Sequence, residues 1–143
     1  MAQATSDLTL FYDADCGFCS WAAARAVRLA PPGRIVAVPI RSAAGDIALG
    51  DLAAAERDGS WHLAAADGRR WSAGAAVAPL LRELPALSRL APLAEAFPGL
   101  VDSAYRFVAR RRGRLSRLLG GARCGGPGGR RSGPGGPPGG PPV

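Results

Sequence analysis

A strand, a pair of cysteines and a helix follow one another near the start of the chain. The mostly apolar run DLTLFY, residues 7–12, predicts a buried strand. After the break DADCG, the alanine-rich residues 18–29 predict a helix, which the turn PPG at residues 31–33 ends. RIVAVPI, residues 34–40, predicts a second buried strand. A strand, helix and strand of these lengths form a βαβ unit, whose two strands are parallel.

The remainder of the chain predicts further helices around a hairpin. Residues 42–58 are interrupted by glycines and predict one or two short helices. Residues 61–65 and 70–72 flank Asp67-Gly68, a strong turn signal, and predict an antiparallel hairpin. Ser72 is expected to cap a helix that runs to Leu84. The apolar stripe of that helix is Val77, Leu80, Leu81 and Leu84.

Short helical pieces, separated by Pro85, Pro92 and Pro98, are expected next. A final amphipathic helix is then predicted from residue 101 to residue 120, ended by Gly120-Gly121. In the first helix, the large apolar side chains are expected to face the core. These side chains are Trp21, Val27 and Leu29.

The composition divides the chain into a body and a tail. Residues 121–143 contain ten Gly and six Pro and predict a disordered tail. Residues 1–6 are expected to be flexible, and residues 7–120 to form one domain. Nine Arg and no acidic residue lie in residues 104–143, whereas residues 1–103 carry a net charge of −2. The basicity of the chain therefore belongs to its C-terminal segment.

The chain shows no sequence typical of a secretory signal or of a transmembrane helix. A cytoplasmic location is the resulting expectation. In that compartment a close pair of cysteines is more often catalytic or metal-binding than a structural disulfide.

Cys16 and Cys19 lie where the first strand meets the first helix. The first turn of a helix offers unsatisfied N–H groups and the positive end of the dipole, so a thiolate at Cys16 would be stabilised below the usual pKa of about 8.5. Cys19 lies one turn further and can resolve a mixed disulfide. Asp13 and Asp15 oppose the thiolate by their charge, which favours a pair that acts as a reductant.

Metal binding is the alternative role for the same cysteines. Cys16, Cys19, His62 and Cys124 would make four ligands, as a structural zinc needs. The second half of the chain lacks the CxxC or HxxxH spacing of such a site, so no metal site and no cofactor are predicted. His62 is expected to point to solvent or to pack at a sheet edge, and Cys124 to be an exposed thiol.

The stretch LFYDADCGFCS resembles the start of the thiol-disulfide oxidoreductase DCC family, with Asp15, Cys16 and Cys19 as its Asp-Cys-x-x-Cys motif and Tyr12-Asp13 before it. SAGAAVAPLLRELP and YRFVARRRGRLSRLLG also resemble that family. The resemblance implies an α/β, thioredoxin-like fold, which is a small mixed sheet with flanking helices, here with a C-terminal helical extension. It also implies protein-disulfide reductase activity, with Cys16 and Cys19 as the redox pair. Protein or low-molecular-weight thiols and disulfides would be the substrates.

Thioredoxins carry a cis-proline opposite the CxxC motif that helps to hold an incoming peptide and keeps metal away. The corresponding position here lies near Gly59-Ser60-Trp61 and contains no proline. Its absence weakens the prediction of general disulfide exchange and leaves metal binding open. Five residues are expected to flank the site. They are Tyr12, Phe18, Trp21, Ser60 and Trp61.

The Arg-rich C-terminal helix suggests a binding module for nucleic acid or an anionic membrane as an alternative function. Docking of this helix on the body, with its arginines in water, is the favoured interpretation. The docking side chains would be Tyr105, Phe107, Val108, Leu115, Leu118 and Leu119. Arg130 and Arg131 in the tail are expected to add weak, salt-sensitive affinity for polyanions.

Overall fold

A computed structural model describes residues 7–119. The described residues contain four strands, which all lie before residue 73, and six helices, three of which follow the last strand. They are β1 (Leu8–Tyr12), α1 (Gly17–Leu29), β2 (Ile35–Pro39), α2 (Ala43–Leu49), α3 (Ala54–Gly59), β3 (His62–Ala65), β4 (Arg70–Ser72), α4 (Val77–Arg82), α5 (Ala91–Ala96) and α6 (Pro98–Leu118). Short 3-10 helices occur at Ala73–Ala76 and Ser88–Leu90.

The strands form one mixed sheet in the order β2-β1-β3-β4. β1 runs parallel to β2 and antiparallel to β3, and β3 pairs with β4 as a hairpin. Gly68 has a φ of 89°, which a residue with a side chain rarely adopts, so the Asp67-Gly68 signal lies where the turn needs it. The predicted βαβ unit and hairpin are confirmed, and the fold is thioredoxin-like.

Two apolar clusters occupy the two faces of the sheet. On one face Leu10 and Leu63, both with no exposed surface, pack with Ala23 and Ala26 of α1 and with Leu80 of α4. On the other face a smaller cluster forms from Phe11, Ile40 and Leu49. Leu10 and Phe11, successive residues of β1, pack in different clusters because successive side chains of a strand point to opposite faces of the sheet.

The expected core face of α1 is wrong. Trp21, Val27 and Leu29 are 46%, 37% and 47% exposed, and α1 contacts the sheet through alanines instead. Ala23 and Ala26 lie three residues apart and share one side of the helix. Their small side chains let the helix approach the strands closely.

The segment after the hairpin is more broken than the predicted helix from Ser72 to Leu84. The 3-10 helix Ala73–Ala76 precedes α4, and Ser72 makes no capping hydrogen bond with its side chain. Leu80 and Leu84 of the predicted stripe are nevertheless buried.

The last helix, α6, begins three residues before the predicted start and ends at Leu118, while the glycines predicted to end it lie outside the described residues. It packs against the body, as predicted, but only part of the predicted set of side chains takes part. Tyr105 contacts the body, as predicted, and Ser116 adds a contact that was not predicted. Phe107, Val108, Leu118 and Leu119 are exposed.

In residues 7–119 no helix combines the length and the apolar character that crossing a membrane requires. Both chain ends, with Cys124, Arg130 and Arg131, lie outside the described residues, and so do the predicted flexible N-terminus and tail.

Candidate functional site

Cys16 and Cys19 lie at the start of α1, just beyond the end of β1. Cys16 is the N-cap residue of this helix, and its Sγ accepts the backbone N–H of Cys19 at 3.4 Å. Both residues are thiols in this structure. Cys16 is fully buried, whereas Cys19 is part-exposed and faces a cavity. The helix terminus therefore directs an N–H group and its positive dipole end at the Cys16 sulfur.

Ser116 of α6 completes the surroundings of Cys16. Its side chain is fully buried, and its Oγ lies 3.6 Å from the Cys16 Sγ. The same oxygen accepts the backbone N–H of Phe18 at 3.0 Å. The Ser116 hydroxyl therefore lies within hydrogen-bond distance of the Cys16 sulfur, where a thiolate would accept its proton.

Ser116 is a site residue that was not predicted from the sequence. Tyr105, Arg112 and Ser116 recur at intervals of four to seven residues along α6, which places them on one side of the helix. Extending the docked face of the predicted helix by this spacing would have identified Ser116, but not its partner 100 residues earlier.

The pKa of Cys19 is raised far above its ordinary value. Burial is the largest cause, and the hydrogen bond with Cys16 and the negative charge of a Cys16 thiolate add to it. Arg112 acts in the opposite direction, and Asp13 raises the pKa slightly further. Cys19 therefore keeps its proton at neutral pH.

The two acidic residues of the motif have different surroundings. Asp13 lines the same cavity as Cys19, and its Oδ1 accepts the backbone N–H of Asp15 at 3.0 Å. Asp15 is exposed and its carboxylate pairs with Arg41 at 2.9 Å. Although the motif contains no cation, the fold thus supplies Arg41 beside Asp15 and Arg112 beside Cys19.

Four of the five predicted flanking residues line the cavity with Cys19. They are Tyr12, Phe18, Ser60 and Trp61. Trp21 lies outside the cavity wall, where it stacks on Phe18 with ring centroids 6.0 Å apart. The residues 7–119 contain no cis peptide bond, so the segment Ser60–Trp61 faces the cysteines with ordinary trans geometry.

The cavity beside Cys19 has a volume of about 600 Å³. Its wall is formed by α1, α4, α5 and α6, together with the residues before β3. Apart from Asp13 and Arg112 the wall carries no charged side chain, and most of its surface is apolar. The sequence analysis identified several residues of this wall but predicted no cavity.

His62 does not belong to this site. It is fully buried, which contradicts the expected solvent or edge position, since β3 lies inside the sheet. Its Nε2 donates to the carbonyl oxygen of Arg57 at 3.0 Å, and its Nδ1 accepts the hydroxyl of Ser72 at 2.7 Å. Burial lowers the pKa of His62, in agreement with this neutral form.

The contacts of His62 leave neither ring nitrogen available for the four-ligand metal site considered from the sequence. Within the part of the chain that the structure describes, no three His, Cys, Asp or Glu side chains are placed to hold a metal ion. Cys124 lies outside that part.

The fold and the position of its cysteines place the protein in the thioredoxin-like class. The family model of DCC1-like thiol-disulfide oxidoreductases matches residues 10–118, about three quarters of the chain. The chain therefore belongs to the DCC1-like thiol-disulfide oxidoreductase family. Comparisons with curated proteins and with solved structures gave no match.

Proposed function

We propose that this protein reduces disulfides of proteins or of low-molecular-weight compounds, with Cys16 as the nucleophile and Cys19 as the resolving thiol. The observation that carries the proposal is the N-cap position of Cys16. Its sulfur accepts the Cys19 N–H and contacts the Ser116 hydroxyl, so two donors and the helix dipole favour the thiolate there.

The proposed reaction is thiol–disulfide exchange in two steps. The Cys16 thiolate attacks one sulfur of the substrate disulfide, the substrate S–S bond breaks, and the first substrate thiolate leaves. Cys19 then loses its proton to solvent or to the departing thiolate and attacks Cys16. This second exchange releases the other substrate thiol and forms the Cys16–Cys19 disulfide. Two electrons pass from the cysteine pair to the substrate, and an external dithiol must return them.

The raised pKa of Cys19 supports this division of roles. A protonated Cys19 is a poor nucleophile before exchange begins, so it does not compete with Cys16 for the substrate. Once Cys16 has entered a mixed disulfide, its negative charge is gone, and that cause of the raised pKa disappears with it. Cys19 then becomes easier to deprotonate.

The burial of Cys16 adds a requirement. Because Cys16 has no exposed surface and Ser116 contacts its sulfur, a substrate sulfur reaches it only when the last turn of α6 shifts. We therefore infer that a movement of α6 near Ser116 accompanies each catalytic cycle.

The test combines a redox titration with cysteine variants. Thiols are trapped and counted by mass at each potential, and a two-electron Cys16–Cys19 couple is expected at roughly −220 to −320 mV, near the cytosolic poise. Cys16→Ser should abolish reduction of insulin and of small disulfides, and Cys19→Ser should accumulate mixed disulfides. Cys124→Ser is the matched control and should keep full turnover. Turnover that survives Cys16→Ser would refute the proposal.

A further inference from the structure

The cavity beside Cys19 has the size of a small-molecule site. Its volume of about 600 Å³ falls within the range of roughly 300–1,000 Å³ that is usual for ligand pockets. Leu93, Phe97 and Leu100 in its wall are 56%, 54% and 70% exposed. A ligand that covers these large apolar side chains removes their surface from water, which makes the free energy of binding more favourable. Since Cys19 is part of the same wall, a molecule in the cavity lies beside the redox pair.

The charges of the wall favour an anionic ligand. Its two charged residues are Asp13 and Arg112. Asp13 already accepts a hydrogen bond within its own loop, from the Asp15 N–H. Arg112 forms no ion pair with any carboxylate of residues 7–119. A carboxylate at Arg112 would supply that ion pair in a largely apolar setting, where it is stronger than in water.

The backbone near the cysteines is not arranged to hold an extended peptide. Peptides that lie along a strand are held by main-chain hydrogen bonds. The N–H of Trp61, in the cavity wall, instead donates to the Tyr105 hydroxyl at 3.2 Å. The Tyr105 ring also stacks on Trp61, with centroids 6.1 Å apart. The Trp61 N–H is thus already paired with α6 and is not open to a peptide backbone, whereas the cavity remains open to side groups and small molecules.

We propose that this cavity binds a small disulfide substrate that has an apolar chain and a carboxylate group, with the chain against Leu93, Phe97 and Leu100 and the carboxylate at Arg112. The inference rests on the proposed function and narrows its substrate class. Cys16 and Cys19 supply the two electrons that break the substrate S–S bond, and the substrate leaves as two thiols, or as one dithiol where its disulfide is cyclic. An external dithiol such as dithiothreitol reduces the Cys16–Cys19 disulfide again.

Binding is tested first with octanoate, which has the chain and the carboxylate but no disulfide. Titration calorimetry on the reduced full chain should show binding of one octanoate. Arg112→Gln should weaken it about tenfold, the loss expected for one charge-assisted contact. Arg114→Gln, the same change at an exposed position of α6 outside the cavity, should leave the affinity unchanged. No detectable octanoate binding at millimolar concentration would overturn the inference.

Filling the cavity is the second test. Ala94→Trp places a large ring in the cavity wall, whereas Ala96→Trp places the same ring on an exposed part of α5 outside it. With folding of both variants checked by circular dichroism, Ala94→Trp should abolish octanoate binding and Ala96→Trp should retain it. Equal binding by the two variants would place octanoate elsewhere and overturn the inference. Should Ala94→Trp fail to fold, the Arg112 comparison decides.

Turnover separates this inference from the proposed function. Lipoate carries a cyclic disulfide on a carboxylated chain, and lipoamide is its uncharged counterpart. Arg112→Gln should raise the KM for lipoate about tenfold and leave the KM for lipoamide unchanged. The protein could instead reduce a hydrophobic peptide disulfide, with no inhibition by octanoate, and fail to reduce lipoate. That result would overturn the inference and leave the reductase proposal intact. If no disulfide of any class is reduced although octanoate binds, the proposed function is overturned and the substrate inference with it.

Discussion

Ser116 shows how one residue far along the chain can set the chemistry of the motif. Its Oγ receives the Phe18 N–H and lies 3.6 Å from the Cys16 Sγ, within hydrogen-bond distance of a thiolate there. Ser116 is therefore a positioning residue whose loss should change the ionisation of Cys16.

Ser116→Ala should move the midpoint of the pH dependence of Cys16 alkylation upward by about one pH unit, because the thiolate loses one hydrogen bond. The alkylation rate is measured from pH 4 to pH 10 by peptide mass analysis, so that Cys16 and Cys19 are followed separately. Ser103→Ala, whose hydroxyl donates within α6 to the Gly99 carbonyl, is the control and should reproduce the wild-type midpoint. An unchanged midpoint in Ser116→Ala would exclude the assigned role.

His62 should make the stability of the fold depend on pH. Because burial lowers its pKa in the folded state, the unfolded chain takes up a proton below about pH 6.5 while the folded chain does not. The free energy of unfolding should therefore have its full value well above pH 6.5 and should decrease as the pH falls below 6.5. Urea unfolding between pH 7.5 and pH 5 measures this loss.

His62→Gln is the variant that tests the assignment, since glutamine has no titrating group in this range. Its unfolding free energy should vary less between pH 7.5 and pH 5 than that of the wild type. His62 is the single histidine of the chain. Asp51 and Asp67, whose pKa values are lowered by Arg70 and by Arg69, titrate below this window. Identical pH dependence in the two proteins would show that His62 is not the source.

At the scale of elements, the contact between the 3-10 helix Ala73–Ala76 and α6 fixes how closely the last helix approaches the sheet. A Cβ atom added at Gly74 would lie 2.8 Å from the Cα of Asp102, closer than such atoms approach. Gly74→Ala should therefore lower the free energy of unfolding by about 1–3 kcal/mol, as overpacking does. The obstacle is backbone, so a change of rotamer cannot relieve it.

Gly113→Ala is the matched control in α6, because a Cβ atom there meets nothing within 4 Å. It should raise the free energy of unfolding by about 0.5–1 kcal/mol, since glycine is a weak helix former. Urea unfolding of both variants measures the two effects. An unchanged free energy of unfolding in Gly74→Ala would mean that α6 lies further from the 3-10 helix than the 2.8 Å approach requires.

The elements that could be predicted from the sequence are those with local signals. Apolar runs identified β1 and β2, and Asp67-Gly68 identified the hairpin, because each depends on neighbouring residues. The prediction of which side of α1 faces the core was wrong. A hydrophobicity scale ranks Trp21 and Leu29 above alanine, whereas close packing on the sheet needs the small side chains of Ala23 and Ala26. The cysteine motif was found at once, but Ser116 and Arg112 were not, since both reach it only through the path of α6.

At the scale of the whole molecule, α6 is part of the folded body although its composition is as basic as that of the tail. Residues 104–143 contain half of the arginines of the chain and no acid, so their charge does not separate the last helix from the tail predicted to begin at residue 121. In the structure, residues 104–118 of this region belong to α6, which forms one wall of the cavity. Tyr105 contacts the segment before β3, and Ser116 contacts the start of α1. We therefore expect the boundary between body and tail to fall after α6, as predicted from the sequence.

Two truncations test this boundary. A chain that ends at residue 120 keeps every contact described here and should melt within about 2 °C of the full chain, because a shift of that size reflects less than 1 kcal/mol. A chain that ends at residue 103 loses Tyr105, Arg112 and Ser116, uncovers Cys16 and exposes the apolar wall of the cavity. Its melting temperature should fall by at least about 10 °C. Calorimetry measures both changes, and rapid alkylation of Cys16 in the shorter chain would mark the loss of its cover. If the chain ending at 103 melted like the full protein with Cys16 still protected, α6 would be an appendage after all, and the roles given to Ser116 and Arg112 would fall together.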